Sequence, residues 1–288
     1  MIFYILYKIG EFIALIFPLK MAYMVGIFFS DLHYLFAWKD HANVAANLKA
    51  IFPEKSIQEI KAMRLRMSRN FAKYLIDFFR FSRLDKNNIK KFLHTKNLHY
   101  IDNALKNGKG AIILTAHIGN WEVGGVGMAL LGYDIGVVAL SHRHGSVDKF
   151  FIAQREQKGV SVLPLGRAAR DCLKFLRENK IIALVGDRNF GSKGTLIDLF
   201  GLPTYLPEGP AVFSLKIGTP IIPAFVLRNP DDTHTLTFEK PIEFTPTGDK
   251  DNDLLELMEK YKLVIEHYIK TYPEHWFMFR KFWAEQEK

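Results

Sequence analysis

The chain has 288 residues, 49% of them hydrophobic, one cysteine and a formal net charge of +9. That length fits one large α/β domain or two small ones and supplies a full core, and the single Cys172 excludes an intramolecular disulfide. With no zinc-ligand spacing, RNA-binding aromatic block or long Lys/Arg run, the positive charge does not point to nucleic acid. It points to phospholipid headgroups, phosphorylated glycolipids or an acidic carrier protein.

Residues 1–36 are apolar but interrupted by Lys8, Glu11, Pro18, Lys20 and Asp31. Neither half reaches the ~18 uncharged residues expected of a membrane-spanning helix. Tyr4, Lys8 and Glu11 fall near one helical face, which suits a helix lying in a membrane interface. A helical hairpin packed on the domain is the alternative. The first residues lack positive charge and no A-x-A site follows, so a signal peptide is not expected. Ser56 and Glu59 are spaced as a capping box for a helix predicted over 56–80. Its stripe of Ile60, Met63, Met67, Phe71, Tyr74 and Phe78 reads as core. Its basic residues Lys61, Arg64, Arg66 and Arg69 read as a solvated face, with a carrier-protein or lipid contact as the alternative.

From residue 97 onward strand and helix patterns alternate. Strands are predicted at 111–116, 135–140, 160–164, 181–186, 196–200, 221–227 and 234–240. Helices are predicted at 97–107, 121–131, 147–157, 167–178, 208–217 and 251–271. Such alternation predicts an α/β fold: a mainly parallel mixed sheet of about seven strands, covered by helices on both faces. The expected organisation is an N-terminal membrane-associating helical segment, 1–36, and a single domain over 37–288. Cys172 falls in the helix predicted over 167–178 and reads as core packing.

The stretch Ala111–Leu131 concentrates the chemistry. An apolar strand ends near His117, and Asn120 is placed to cap a following helix. His117 and Glu122 are five apart, about 140° on a regular helix, but they can converge across a strand-to-helix turn. A carboxylate beside an imidazole fixes its tautomer and leaves the other ring nitrogen free to accept a proton. From spacing alone this general base and a ring that only satisfies loop carbonyls stand level.

In context, HIGNWE after an apolar strand resembles the H-x4-D/E motif of the lysophospholipid acyltransferase superfamily, and within it the bacterial late lipid A acyltransferases. Their mycobacterial relatives acylate phosphatidylinositol mannosides. Asn47-Leu48 with Phe52-Pro53-Glu54, Leu165-Gly166-Arg167, Gly186-Asp187-Arg188-Asn189, Pro207-Glu208-Gly209-Pro210, Lys216 to Pro223 and Tyr272-Pro273-Glu274-His275-Trp276 resemble further blocks of that family, in order, from about Asn43 to Trp283. Where many lipid A relatives carry R-P-x-x-N-P, this chain has His144-Gly145.

The resemblance implies His117 as general base, oriented by Glu122, with N–H groups near Gly119 to Trp121 holding an oxyanion. Asn120, Arg143, Arg167, Arg188 and Glu208 are the expected substrate contacts. Arg143 in a loop reads equally as solvated; Arg167 opens a helix whose N–H groups favour anions; Arg188 ends a strand, where sites in open sheets collect. Asp187 is expected to orient Arg188. His142 and His144 point opposite ways on an extended chain and do not suggest a metal site. No G-x-S-x-G elbow, P-loop or dinucleotide fingerprint is present, and no cofactor, metal, nucleotide or covalent acyl-enzyme is required. The implied activity is transfer of a fatty acyl group from an acyl carrier protein thioester to a hydroxyl of a membrane glycolipid, a lipid A precursor first. Phosphatidylinositol mannoside-type or other phospholipid acceptors with acyl-CoA, and a non-catalytic lipid-binding protein, are the alternatives. The implied location is the cytoplasmic face of the inner membrane.

Overall fold

The structure, a computed structural model, describes residues 2–140, 144–189 and 194–284. Seven strands form one sheet in the order β1 (Leu93–Lys96), β9 (His234–Phe238), β8 (Ile221–Arg228), β2 (Ala111–Thr115), β5 (Ile181–Val185), β3 (Ile135–Ala139) and β4 (Ser161–Pro164). From β8 to β4 all strands are parallel; β9 runs antiparallel to β8, and β1 is parallel to β9. The mainly parallel sheet of seven strands is as expected, though its membership differs by one. The segment predicted over 196–200 leaves the sheet as β6 (Thr195–Leu199), which pairs only with β7 (Leu202–Leu206) in a separate hairpin. Its turn is Phe200-Gly201, both at positive φ, as a two-residue hairpin requires. The seventh strand of the sheet is instead β1, four residues at an edge whose half-polar sequence carries little strand signal.

Successive side chains of the central strands point to opposite faces, so each strand feeds two cores. In β2, Ile112 and Leu114 enter one core and Ala111 and Ile113 the other. The first core is closed by α9 (Ala168–Arg177), α10 (Gly209–Ile217) and α11 (Lys250–Thr271), together with α3 (Trp38–Ile51) and the start of α4 (Ile57–Phe79). The second is closed by the end of α4, α5 (Ile89–Phe92), α6 (His99–Lys106), α7 (Trp121–Leu130) and α8 (Gly145–Glu156). Cys172 is buried in the first core, and burial pushes its thiol up to about 12, which leaves it inert.

The capping box forms: Ser56 Oγ accepts from the Glu59 N–H, and Glu59 Oε2 accepts from the Ser56 N–H at 2.8 Å. The basic face of that helix is paired rather than simply solvated. Arg66 meets Glu274 at 2.5 Å, Arg69 meets Asp31 at 2.7 Å, and Arg64 donates to Tyr34 at 2.8 Å.

The N-terminal residues form a hairpin of α1 (Ile2–Ile16) and α2 (Leu19–Tyr34), turned at Pro18 and packed on α4. Arg80, just past α4, donates to the carbonyls of Ala14 and Phe17, fastening the end of α1. The outer surface stays apolar, with Phe3, Phe12, Met24, Phe28, Leu35, Phe36 and Trp38 each more than half exposed. Among the described residues no helix is long and apolar enough to cross a membrane.

Candidate active site

Five residues, 116–120, join β2 to α7. Gly119 has φ +64°, and a Cβ there would lie 1.8 Å from the Val226 carbonyl oxygen, so no other residue fits. The turn is fixed by three backbone hydrogen bonds: Gly119 N–H to the His275 carbonyl at 2.8 Å, Asn120 N–H to Val226 at 2.9 Å, and Phe277 N–H to the His117 carbonyl at 2.8 Å. Asn120 caps α7 as expected, its Oδ1 accepting from the Val123 N–H at 3.1 Å. Of the N–H groups expected to hold an oxyanion, those of Gly119 and Asn120 are therefore used inside the turn. The Trp121 N–H, first in the helix, is the remaining one.

The carboxylate at the His117 ring is Asp187. Its Oδ1 lies 2.8 Å from His117 Nδ1, and its Oδ2 accepts from the His117 backbone N–H at 3.1 Å and from Trp276 Nε1 at 2.9 Å. The sheet register produces this. Thr115 of β2 aligns with Val185 of β5, so His117 and Asp187 emerge side by side two residues beyond the paired strands. Asp187 is fully buried, whereas the His117 side chain is 13% exposed. Burial alone would raise the Asp187 carboxyl, but the imidazole beside it and three hydrogen bonds hold it below the ordinary carboxylate value. With Nδ1–H donated to Asp187, Nε2 is the basic nitrogen of the ring.

Glu122 does not take the orienting part that the resemblance implies for it. Both its oxygens accept from Arg155, at 2.8 and 2.6 Å, in a forked pair that ties α7 to α8. The physical reason is helical direction: in the first turn of α7 its side chain leans toward α8, while His117 follows the strand direction toward β5.

The other expected contacts divide. Arg188 lines a polar cavity of about 440 Å³ with Asp187, Asn189, Tyr205, Arg280 and Lys281. Burial and the neighbouring Arg280 guanidinium lower the Arg188 pKa, as two cations facing one space must. Asn120 is buried, its amide committed to Val123 and to Asp77 at 2.8 Å, so it is a turn residue rather than a substrate contact. Arg167 is exposed and sits 3.8 Å from Asp171. It follows the edge strand β4, three strands from β2, or roughly 14 Å at the usual spacing. Glu208 accepts from Thr195 Oγ1 at 3.0 Å, bracing the β6–β7 hairpin. Arg143 and His142 lie outside the described residues. Among the described residues no group of His, Cys, Asp and Glu could hold a metal ion.

A second cavity, about 590 Å³ and largely apolar, lies between α1, α2, α3 and α4. Leu6, Ile13, Phe29, Phe71, Leu75 and Phe279 are among its walls, so Phe71 of the predicted core stripe serves a cavity. From Phe71 a run of touching rings, Tyr74 and then Trp121, leads to His117, with centroids 5.4, 4.7 and 5.0 Å apart.

Sequence reasoning missed three parts of the site. Asp187 is expected from the sequence only to orient Arg188, and nothing there signals its bond to the His117 ring. Trp276 was visible only within a block of unknown role. Asn47 donates to the Met278 and Arg280 carbonyls at 3.2 and 2.7 Å, which shapes the segment lining the polar cavity.

A family model described as bacterial lipid A biosynthesis acyltransferase matches residues 1–285. The chain is 27% identical over 218 residues to a phosphatidylinositol mannoside acyltransferase of Mycolicibacterium smegmatis (strain ATCC 700084 / mc(2)155), covering 74% of this chain and 70% of that one. It is 29% identical over 160 residues to a protein of the same description from Mycobacterium tuberculosis (strain ATCC 25618 / H37Rv), covering 54% of this chain and 51% of the relative.

Proposed function

Because the chain belongs to the bacterial lipid A biosynthesis acyltransferase family, we propose that it moves a fatty acyl group from a thioester to a hydroxyl of a phosphate-bearing membrane glycolipid. The observation that carries this reading is the His117–Asp187 pair, 2.8 Å apart, whose Asp187 lines the same cavity as Arg188 and Arg280.

His117 Nε2 takes the proton of the acceptor hydroxyl as its oxygen attacks the thioester carbonyl. Asp187 holds the ring and stabilises the imidazolium that forms. The Trp121 N–H, at the positive end of α7, is the donor best placed for the oxyanion. Collapse of the tetrahedral intermediate breaks the C–S bond, and the imidazolium returns its proton to the departing thiolate. The products are an ester and a free thiol. Arg188 and Arg280 hold the acceptor's phosphate through charge-assisted hydrogen bonds. The apolar cavity behind Phe71 sheathes the acyl chain, and the exposed face of α1 and α2 lies on the membrane surface.

An acyl carrier protein thioester remains the proposed donor, since an acidic carrier suits a chain of net charge +9. The acceptor is a lipid A precursor or a phosphatidylinositol mannoside, both phosphorylated glycolipids; the names of the mycobacterial relatives support the second. Acyl-CoA is the alternative donor. Work at the cytoplasmic face of the inner membrane follows from a cytoplasmic thioester.

The test offers the purified protein acyl carrier protein and CoA thioesters with vesicles carrying either acceptor, and reads products by mass spectrometry. One acceptor should gain an acyl chain, and His117→Ala should lower turnover by ~10²–10⁴-fold. Binding to vesicles without any product would establish a lipid-binding protein instead. Thiol release independent of acceptor would establish a hydrolase.

A further inference from the structure

Asp77, near the end of α4, is a fully buried carboxylate on which four elements converge. It accepts from Tyr23 Oη of α2, from Asn120 Nδ2 at 2.8 Å before α7, and from the Arg228 guanidinium of β8, with His234 Nε2 of β9 3.4 Å away. Tyr23 Oη in turn accepts from Arg228 Nη1 at 2.8 Å. A buried ion pair is an expensive way to hold helices together, and an apolar cluster of equal volume serves as well or better. What a charged cluster adds is direction, because each donor must meet a fixed acceptor.

The group being directed is the Asn120 amide, three residues from His117. Its Oδ1 caps α7 and its Nδ2 reaches Asp77, so it cannot rotate without losing both bonds. The turn that carries His117 is thus pinned by β8 through Val226, by the segment 275–277, by Asp187 at the His117 N–H, and by Asp77. Of these anchors, Asp77 and, through Arg228, β8 also reach the N-terminal hairpin, both at Tyr23.

We infer that Asp77 is a positioning residue for His117, acting through Asn120, and that Tyr23 ties its setting to the seating of α2. This rests on the reading of His117 as the base. The hairpin whose outer face is apolar then has a hydrogen-bonded route to the turn that carries the imidazole.

Three variants test it: Asp77→Asn, Asn120→Ser and Tyr23→Phe. Asp77→Asn leaves the buried Arg228 with only Asp232, 3.6 Å away, as counter-ion and can fail to fold, so the other two decide. Serine still caps α7 but is too short to reach Asp77. Asn120→Ser should lower kcat by about 10²-fold, the cost of an ångström of misplacement, with KM for the thioester within about twofold. Tyr23→Phe should give a smaller fall of the same kind. In both, the His117 ring 15N shifts should move from the wild-type position. Wild-type kcat and ring shifts in both variants, with only the melting temperature reduced, would overturn the inference while His117→Ala stays inactive. Transfer that survives His117→Ala would instead overturn the reading of the base, and the inference with it.

Discussion

Asp187 reaches His117 twice, once at the ring and once at the backbone N–H, at 2.8 and 3.1 Å. The same carboxylate therefore sets both the tautomer of the imidazole and the path of the chain that carries it. Asp187→Asn keeps the shape but can present its amide to Nδ1, which favours the wrong tautomer. Its kcat should fall by ~10²–10⁴-fold with a small change in KM. Wild-type turnover in steady-state kinetics would remove Asp187 from the mechanism.

Glu122→Gln should behave differently. It strips the counter-ion from Arg155, whose side chain is only 12% exposed, and should cost about 3 kcal/mol of stability by denaturant unfolding. The loss should appear in the midpoint while kcat of the folded fraction stays near wild type. A kcat as low as that of His117→Ala would return Glu122 to the catalytic pair.

Gly119→Ala should abolish the site. No relaxation accommodates a Cβ 1.8 Å from a carbonyl oxygen at a left-handed φ. The expected result is a large drop in melting temperature together with loss of turnover. A fully stable, active variant would mean that the turn takes another path.

Arg188→Ala and Arg280→Ala should raise KM for a phosphorylated acceptor, and the wild-type KM should rise with salt. Acyl transfer to a neutral glycolipid should be less affected. Equal effects on both acceptors would argue that these cations do not meet phosphate.

His275 gives a pH dependence. Burial, with Arg228 and His234 nearby, lowers its pKa to about 4, against about 6.5 in the unfolded chain. The unfolded state therefore binds this proton first, so its contribution is present above pH ~6.5 and is lost as pH falls toward 4. Melting temperature should decline over that window, and His275→Asn should flatten the decline. An unchanged slope would exclude His275 as the source.

The apolar face of the N-terminal hairpin should bind lipid. Phe12→Glu with Phe28→Glu, both exposed, should reduce co-flotation with anionic vesicles without lowering the melting temperature. Undiminished flotation would move membrane contact elsewhere on the molecule.

Periodicity and capping are local properties, so the alternating architecture, the capping box at Ser56, the cap at Asn120 and the position of His117 at a strand end were legible in the residues alone. The sequence could not say which carboxylate meets the imidazole. Glu122 is five residues away and Asp187 is 70 away, yet β5 lies beside β2 in register, and strand order is decided by packing rather than by neighbouring residues. The same reason hid Trp276, which reaches Asp187 from near the C-terminus, and Asp77, which reaches Asn120 from another helix. Neighbouring residues build the turn that offers a base; the order of the strands sets what holds that base in place.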